Sequence, residues 1–174
     1  MNTMDPLTLW FTGLPGSGKT TLACLMAERF RQQQGVKAEV LDGDGVRRMI
    51  GNLGYSRNDR RHQVVYMAFT AMMLNKNGIF VTAAFISPYR SVRKEARDLI
   101  GRRFIEIFVD CPIAVCRKRD PKGLYKKFKD GLITGLTGVD DPYEYPVDPE
   151  IIVKTADSTP DECLCKIEDY LKKI

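Results

Sequence analysis

The sequence predicts an α/β fold, a parallel sheet with helices on both faces. Two observations carry that reading. Short apolar runs of strand length alternate with segments of helical periodicity from end to end, the pattern left when parallel strands are joined by helical crossovers. The first run also passes through a glycine-rich turn, GLPGSGKTT (13–21), directly into the first helical segment. With 174 residues, 44% hydrophobic and 28% charged, the chain has enough material for one well-buried domain over residues 1–174 and too little for two.

LTLWFT (7–12) reads as a short buried strand. Residues 19–34 have helical spacing, with Leu22, Leu25, Met26 and Phe30 on one face and Gly35 as the stop. AEVLD (38–42) is a second strand. Residues 58–78 form a long helix capped by Asn58, followed by a third strand, IFVTAAF (79–85). A helix over about 91–100 leads to the strand FIEIFVD (104–110), and Pro112 fits the first turn of a helix running to about Arg119. A short strand, IIVKT (151–155), precedes a last helix that Thr159 caps and Pro160 opens, with Cys163, Ile167, Tyr170 and Leu171 facing inward.

The net charge of +5 is concentrated in one place. Residues 117–131 hold seven Lys or Arg against two Asp, as large an excess as the whole chain has, and the adjoining VDDPYEYPVDPE (139–150) is acidic and proline-rich. The stretch 117–150 therefore reads as a mobile charged flap rather than a helix with a packed face. Its GLYKKFK interleaves aromatics with lysines, which leaves a nucleic-acid-binding module as a minor alternative. Five cysteines (24, 111, 116, 163, 165) lack paired spacing, and His62 is the sole histidine, so buried thiols in a reducing compartment fit better than zinc or disulfides. No leader pattern and no apolar window of membrane-spanning length appear, so a cytoplasmic protein without membrane association is expected.

Gly13, Gly18, Lys19 and Thr20 satisfy G-x-x-x-x-G-K-[ST] in the required context, a strand before and a helix after. Such a loop, here Gly13, Leu14, Pro15, Gly16, Ser17, Gly18, Lys19, Thr20 and Thr21, aims backbone N–H groups and a helix N-terminus at phosphate oxygens. Lys19 reaches the β- and γ-phosphates and Thr20 ligates magnesium, so the turn holds a nucleoside triphosphate as its magnesium complex. The second strand ends in LDGDGVRR, placing Asp42 and Asp44 at the sheet edge where open α/β folds bind ligands. Like charges this close disfavour each other, and one carboxylate near the metal with the other taking a proton from a hydroxyl is a sensible division of labour, beside the alternative of a polar turn in which Asp44 caps a short following helix. FISPYR (85–90) brings Ser87 and Arg90 to a third edge.

LDGDGVR, LGYSRNDR, FISPYR and RDPKGLYKKFKDGLITGLTGVDDPYEYPVDPE, in this order with the phosphate loop, resemble the adenylylsulfate kinase family over nearly the whole chain. The resemblance implies a three-layer α/β/α phosphate-loop (P-loop) nucleoside triphosphate hydrolase/kinase fold, with a five-stranded parallel sheet, a lid over about 117–150 and usually a homodimer. It implies ATP-dependent phosphorylation of adenosine 5′-phosphosulfate (APS) at the 3′-hydroxyl. By the same resemblance Asp44 contacts that hydroxyl as base, and Asp42 helps to order magnesium. Arg47 and Arg60 hold the phosphosulfate end, Ile86 and Ser87 line the acceptor pocket, Lys127 closes over it, and Arg117 with the RDPKG run (119–123) forms the ATP side of the lid. Tyr55 stands where an aromatic stacks on adenine. Ser87 matches a serine given a covalent phosphoserine role, although in-line transfer between two nucleotides needs positioning more than a protein nucleophile.

Departures fall on the acceptor half. Gln63 replaces the substrate-contacting Asn, His62 a Glu and Tyr66 an Arg, while Leu136 replaces the phenylalanine expected to sandwich the acceptor adenine. Each change on the ligand weakens acceptor binding by ~1 kcal/mol, and together they leave open a kinase of the same architecture acting on a different small hydroxyl acceptor.

Overall fold

The computed structural model describes residues 5–34, 36–51 and 54–174. The helix stop expected at Gly35, and Leu53 at the start of LGYSRNDR, lie outside them. Five parallel strands, β1 (Thr8–Thr12), β2 (Ala38–Asp42), β3 (Phe80–Ala84), β4 (Phe104–Asp110) and β5 (Ile151–Lys154), form one sheet in the order β2-β3-β1-β4-β5. Because β1 is central and the chain crosses it between β3 and β4, the topological switch lies at the carboxyl end of β1, where doubly wound sheets bind ligands.

Alternation along β1 sends Leu9 and Phe11 to one face and Trp10 to the other, all fully buried. Helices α1 (Lys19–Gln34) and α7 (Pro160–Leu171) cover the first face, where Leu22, Met26 and Phe30 pack with Leu164, Ile167 and Leu171. Helices α3 (Arg57–Lys76) and α4 (Arg90–Ile100) cover the second with Val64, Met67, Val92 and Ile100 against Trp10 and Phe85. Each fully buried Leu, Phe or Met contributes about 1.5–3 kcal/mol, so both faces are held by removal of apolar surface from water. Leu25 is 39% exposed: the buried face of α1 runs through Ala23 and Ala27 instead, small residues that let the helix approach the sheet. In α7 Leu164 takes a full core position, while Tyr170 only packs at its margin.

Three local expectations change. Helix α3 begins one residue before Asn58, because Ser56 and Asp59 form a reciprocal capping box that satisfies the first free N–H groups. A short helix, α2 (Gly43–Ile50), follows β2 directly. The helix expected after Pro112 is α5 (Ile113–Arg119), but the region read as an unpacked flap holds a further helix, α6 (Leu124–Lys129), and its Tyr125, Leu136 and Tyr143 close a third apolar cluster with Leu14 and Phe108. Asp120 anchors α6 by accepting from the N–H groups of Tyr125 and Lys126. Gly138 sits at φ +86°, where a Cβ would lie 2.5 Å from Leu14 Cδ2, so glycine lets this turn pack on the phosphate loop. Among the described residues no helix is long and apolar enough to cross a membrane.

Candidate active site

The carboxyl ends of the strands open into a cavity of about 600 Å³. The phosphate loop supplies Pro15, Gly16, Gly18, Lys19, Thr20 and Thr21 to its wall. Gly13, Leu14 and Ser17, also expected at the ATP, are buried and do not line it. A Cβ on Gly13 would meet the Val109 carbonyl oxygen at 2.6 Å, so that glycine permits close passage over β4. Lys19 is 8% exposed, and its Nζ donates to the Leu14 carbonyl at 2.6 Å and to Ser17 Oγ at 3.4 Å. Burial away from water pushes its ammonium down from 10.5 to about 8. A cation this poorly solvated is poised for an anion.

The two aspartates separate by partner. Asp42 Oδ1 accepts from Thr20 Oγ1 at 3.0 Å, and Oδ2 accepts from the Gly45 N–H at 3.1 Å, so Asp42 caps α2 while facing the phosphate loop. The cap of that helix is therefore Asp42, and Asp44 is left in the first turn at the cavity wall. There Asp44 Oδ2 meets the ammonium of Lys122.

The acceptor-side residues form a connected set. Arg47 donates to the Gly54 carbonyl at 2.5 Å and to Gln63 Oε1 at 2.6 Å, with its guanidinium 4.3 Å from the centroid of the Tyr55 ring. Gln63 returns its amide to the Gly43 carbonyl at 2.6 Å, which ties α3 to α2. The longer side chain in place of Asn thus has a use within the fold. Arg60 bonds Tyr55 O, Thr137 Oγ1 and Gly135 O and pairs with Asp141 at 3.4 Å, fastening α3 to the flap. Tyr55, Arg47, Arg60, Gln63, Ile86 and Ser87 all line the cavity. Ser87 is 3% exposed, accepts from Trp10 Nε1 and donates to Thr12 Oγ1, both at 3.1 Å. A hydroxyl so enclosed is poorly placed as a nucleophile.

Three expected residues lie elsewhere. Lys127 is exposed and away from the cavity, because on α6 it faces opposite to the buried Tyr125. The lysine that reaches the site is Lys122, in the turn before that helix. Arg117 lines a separate groove with Phe128, Lys129 and Val139, whereas Arg119 lines the cavity and donates to Thr155 O at 2.5 Å. Leu136 is 6% exposed and packs in the third apolar cluster instead of facing the ligand, its N–H held by Asp140 Oδ1 at 2.6 Å. His62 and Tyr66 are exposed and outside the cavity. Thr155, Ser158 and Cys163, after β5 and on α7, complete the wall near the phosphate loop. No local motif marks these three, since only the sheet order brings β5 beside β4 and the loop. Arg119 and Lys122 belong to the RDPKG run, but its spacing does not reveal that Lys122 crosses to Asp44.

A parallel sheet with β1 at its switch point, a phosphate loop between β1 and α1, and acidic and basic groups across one cavity define a phosphate-loop kinase. The family model described as adenylylsulphate kinase matches residues 5–154. An adenylyl-sulfate kinase of Synechococcus sp. (strain JA-3-3Ab) is 51% identical over 167 residues, 95% of this chain and 94% of that protein, and one of Clostridium kluyveri is 43% identical over 95% and 83%. An APS kinase of Mycobacterium tuberculosis, solved in complex with AMPPNP and APS, superposes with a TM-score of 0.90 at 38% identity, covering 97% of this chain and 98% of that one. This chain belongs to the adenylylsulphate kinase family.

Proposed function

We propose that this protein transfers the γ-phosphoryl group of ATP to the 3′-hydroxyl of adenosine 5′-phosphosulfate, yielding 3′-phosphoadenosine 5′-phosphosulfate and ADP. The observation that carries the reading is one cavity lined together by Lys19 and the phosphate loop, by Asp42, Asp44 and Lys122, and by Arg47 and Arg60. The family relationship, and a relative solved with an ATP analogue and APS together, support the choice of nucleotides.

In this account the loop N–H groups and the N-terminus of α1 cradle the β- and γ-phosphates, and Lys19 leaves Leu14 O for them. Magnesium fits the oxygen donors of Thr20 and Asp42, 3.0 Å apart, and would neutralise charge on the transferring group. Asp44 gives up Lys122 to accept the proton of the acceptor hydroxyl, and the freed ammonium turns to the anionic substrates. Arg47 and Arg60 hold the phosphosulfate end, Tyr55 offers its ring to the acceptor adenine, and Arg119 with Thr155 borders the ATP side. The flap excludes water, its Tyr125 hydroxyl donating to the Pro15 carbonyl at 2.9 Å. Free thiols accord with a cytoplasmic location, and exposed Tyr66, Phe69 and Met73 along α3 accord with a homodimer, which light scattering on the purified protein checks. A coupled ADP-release assay with ATP and APS tests the reaction. Silence with APS while another small phosphorylated alcohol reacts would reassign the acceptor.

A further inference from the structure

Arg93 lies outside the reacting set, yet its guanidinium joins three separated parts of the molecule. It is 3% exposed and donates through Nε to Glu106 Oε1 on β4, through Nη1 to the Ser87 carbonyl and through Nη2 to the Glu144 carbonyl, each at 2.7 Å. Ser87 and its neighbours Ile86 and Pro88 form the cavity wall, and Glu144 belongs to the arm of the flap that returns to β5. Ser87 is a non-glycine residue at φ 38°, a conformation that persists only when surroundings fix it. Its hydroxyl is fixed by Trp10 and Thr12, and its carbonyl by Arg93.

The same two strips of chain meet again beside it. The Glu144 N–H donates to Pro88 O at 2.8 Å, the Arg90 N–H to Glu144 Oε2 at 2.7 Å, and Arg90 Nε to Tyr145 O at 2.6 Å. Glu106 gives the guanidinium a buried counter-charge, so the fork is held on the rigid sheet while its two remaining contacts reach wall and flap.

Resting on the proposed reaction, we infer that Arg93 is a positioning residue that locks the acceptor wall at Ile86–Pro88 to the returning arm of the flap, and so sets affinity for the acceptor independently of ATP. Arg97 is the natural control: it joins the same ion network through Glu106 and Glu150 but reaches neither wall nor cavity.

The test compares Arg93→Lys with Arg97→Lys. Lysine keeps a positive charge for Glu106 but lacks the planar fork that serves three acceptors. Arg93→Lys is expected to raise the KM for APS about tenfold and leave the KM for ATP within about twofold, while Arg97→Lys lowers Tm and moves neither KM. Equal rises in both KM values, or a fall in Tm with neither KM moving, would overturn the inference. Hydrogen exchange gives a readout that needs no turnover and no variant. APS added to the wild-type protein should slow exchange of the Glu144 amide about tenfold, and ATP alone should not; equal effects of the two nucleotides would overturn the lock. Wild-type ADP release with APS reads the reaction separately. If that assay is silent while Arg93→Lys, unlike Arg97→Lys, still loosens the Glu144 and Arg90 amides, the acceptor assignment fails and the lock stands.

Discussion

Replacing Lys122 with Met separates the account from its nearest competitor. The Lys122–Asp44 pair is half exposed, 54% and 52% at the side chains, so it contributes only about 0–1 kcal/mol to stability. Its loss should shift Tm by less than about 4 °C for a domain of this size. With both nucleotides bound, Lys122 is assigned a charge-assisted hydrogen bond to an anionic substrate, worth roughly 1.5–3 kcal/mol. At about 1.4 kcal/mol per decade that is a 10- to 150-fold fall in kcat/KM. Lys127→Met, on the exposed side of α6, should stay within about twofold, since surface changes there cost no more than ~0.5 kcal/mol. Initial rates of ADP release, with thermal unfolding of each variant, measure both quantities. A large loss from Lys127→Met with near-normal Lys122→Met would refute the geometric assignment and restore the lysine that motif matching alone selects.

Other outcomes follow from the same geometry. Asp44→Asn should retain ATP binding in a nucleotide titration while slowing transfer roughly 10²- to 10⁴-fold. Ser87→Ala should keep turnover within about threefold and cost about 1 kcal/mol of stability in denaturant, because its hydroxyl is spent on Trp10 and Thr12. Acid-stable phosphoprotein at Ser87 together with lost turnover would contradict that. Lys19 titrates near 8 when folded and near 10.5 when unfolded, so the unfolded chain binds the extra proton between those values. Lys19 therefore makes stability rise as pH increases from about 8 toward 10.5, and Lys19→Met should abolish that rise in Tm. Binding of magnesium ATP near pH 8 should take up a proton at the same lysine, seen as a buffer-dependent calorimetric enthalpy that is absent in the variant.

Periodicity and turn chemistry located every strand within a residue or so, because apolar runs of four to seven residues bounded by polar turns leave few alternatives. The phosphate loop was legible for the same reason: its chemistry is local, and backbone, lysine and hydroxyl lie within nine residues. Short-range geometry decided the miss nearest the site: whether Lys122 or Lys127 faces the cavity depends on where a helix begins. The packing of Leu136 and Tyr125 against Leu14 was invisible because composition made the flap look too charged to fold inward; its cations are displayed on the outside while a few apolar residues are buried. Arg93 carried no motif signal, since its partners lie at sequence separations of six, thirteen and fifty-one residues.

The most direct measurement is ADP release by the purified protein with magnesium ATP and APS, run beside adenosine 5′-monophosphate, with phosphorus NMR locating the new phosphate. The assigned reaction gives rapid release with APS, a phosphate on the 3′-oxygen and little turnover of the sulfate-free control. ATP bound in the cradle with no transfer to APS, or a phosphate placed on any other oxygen, would contradict it.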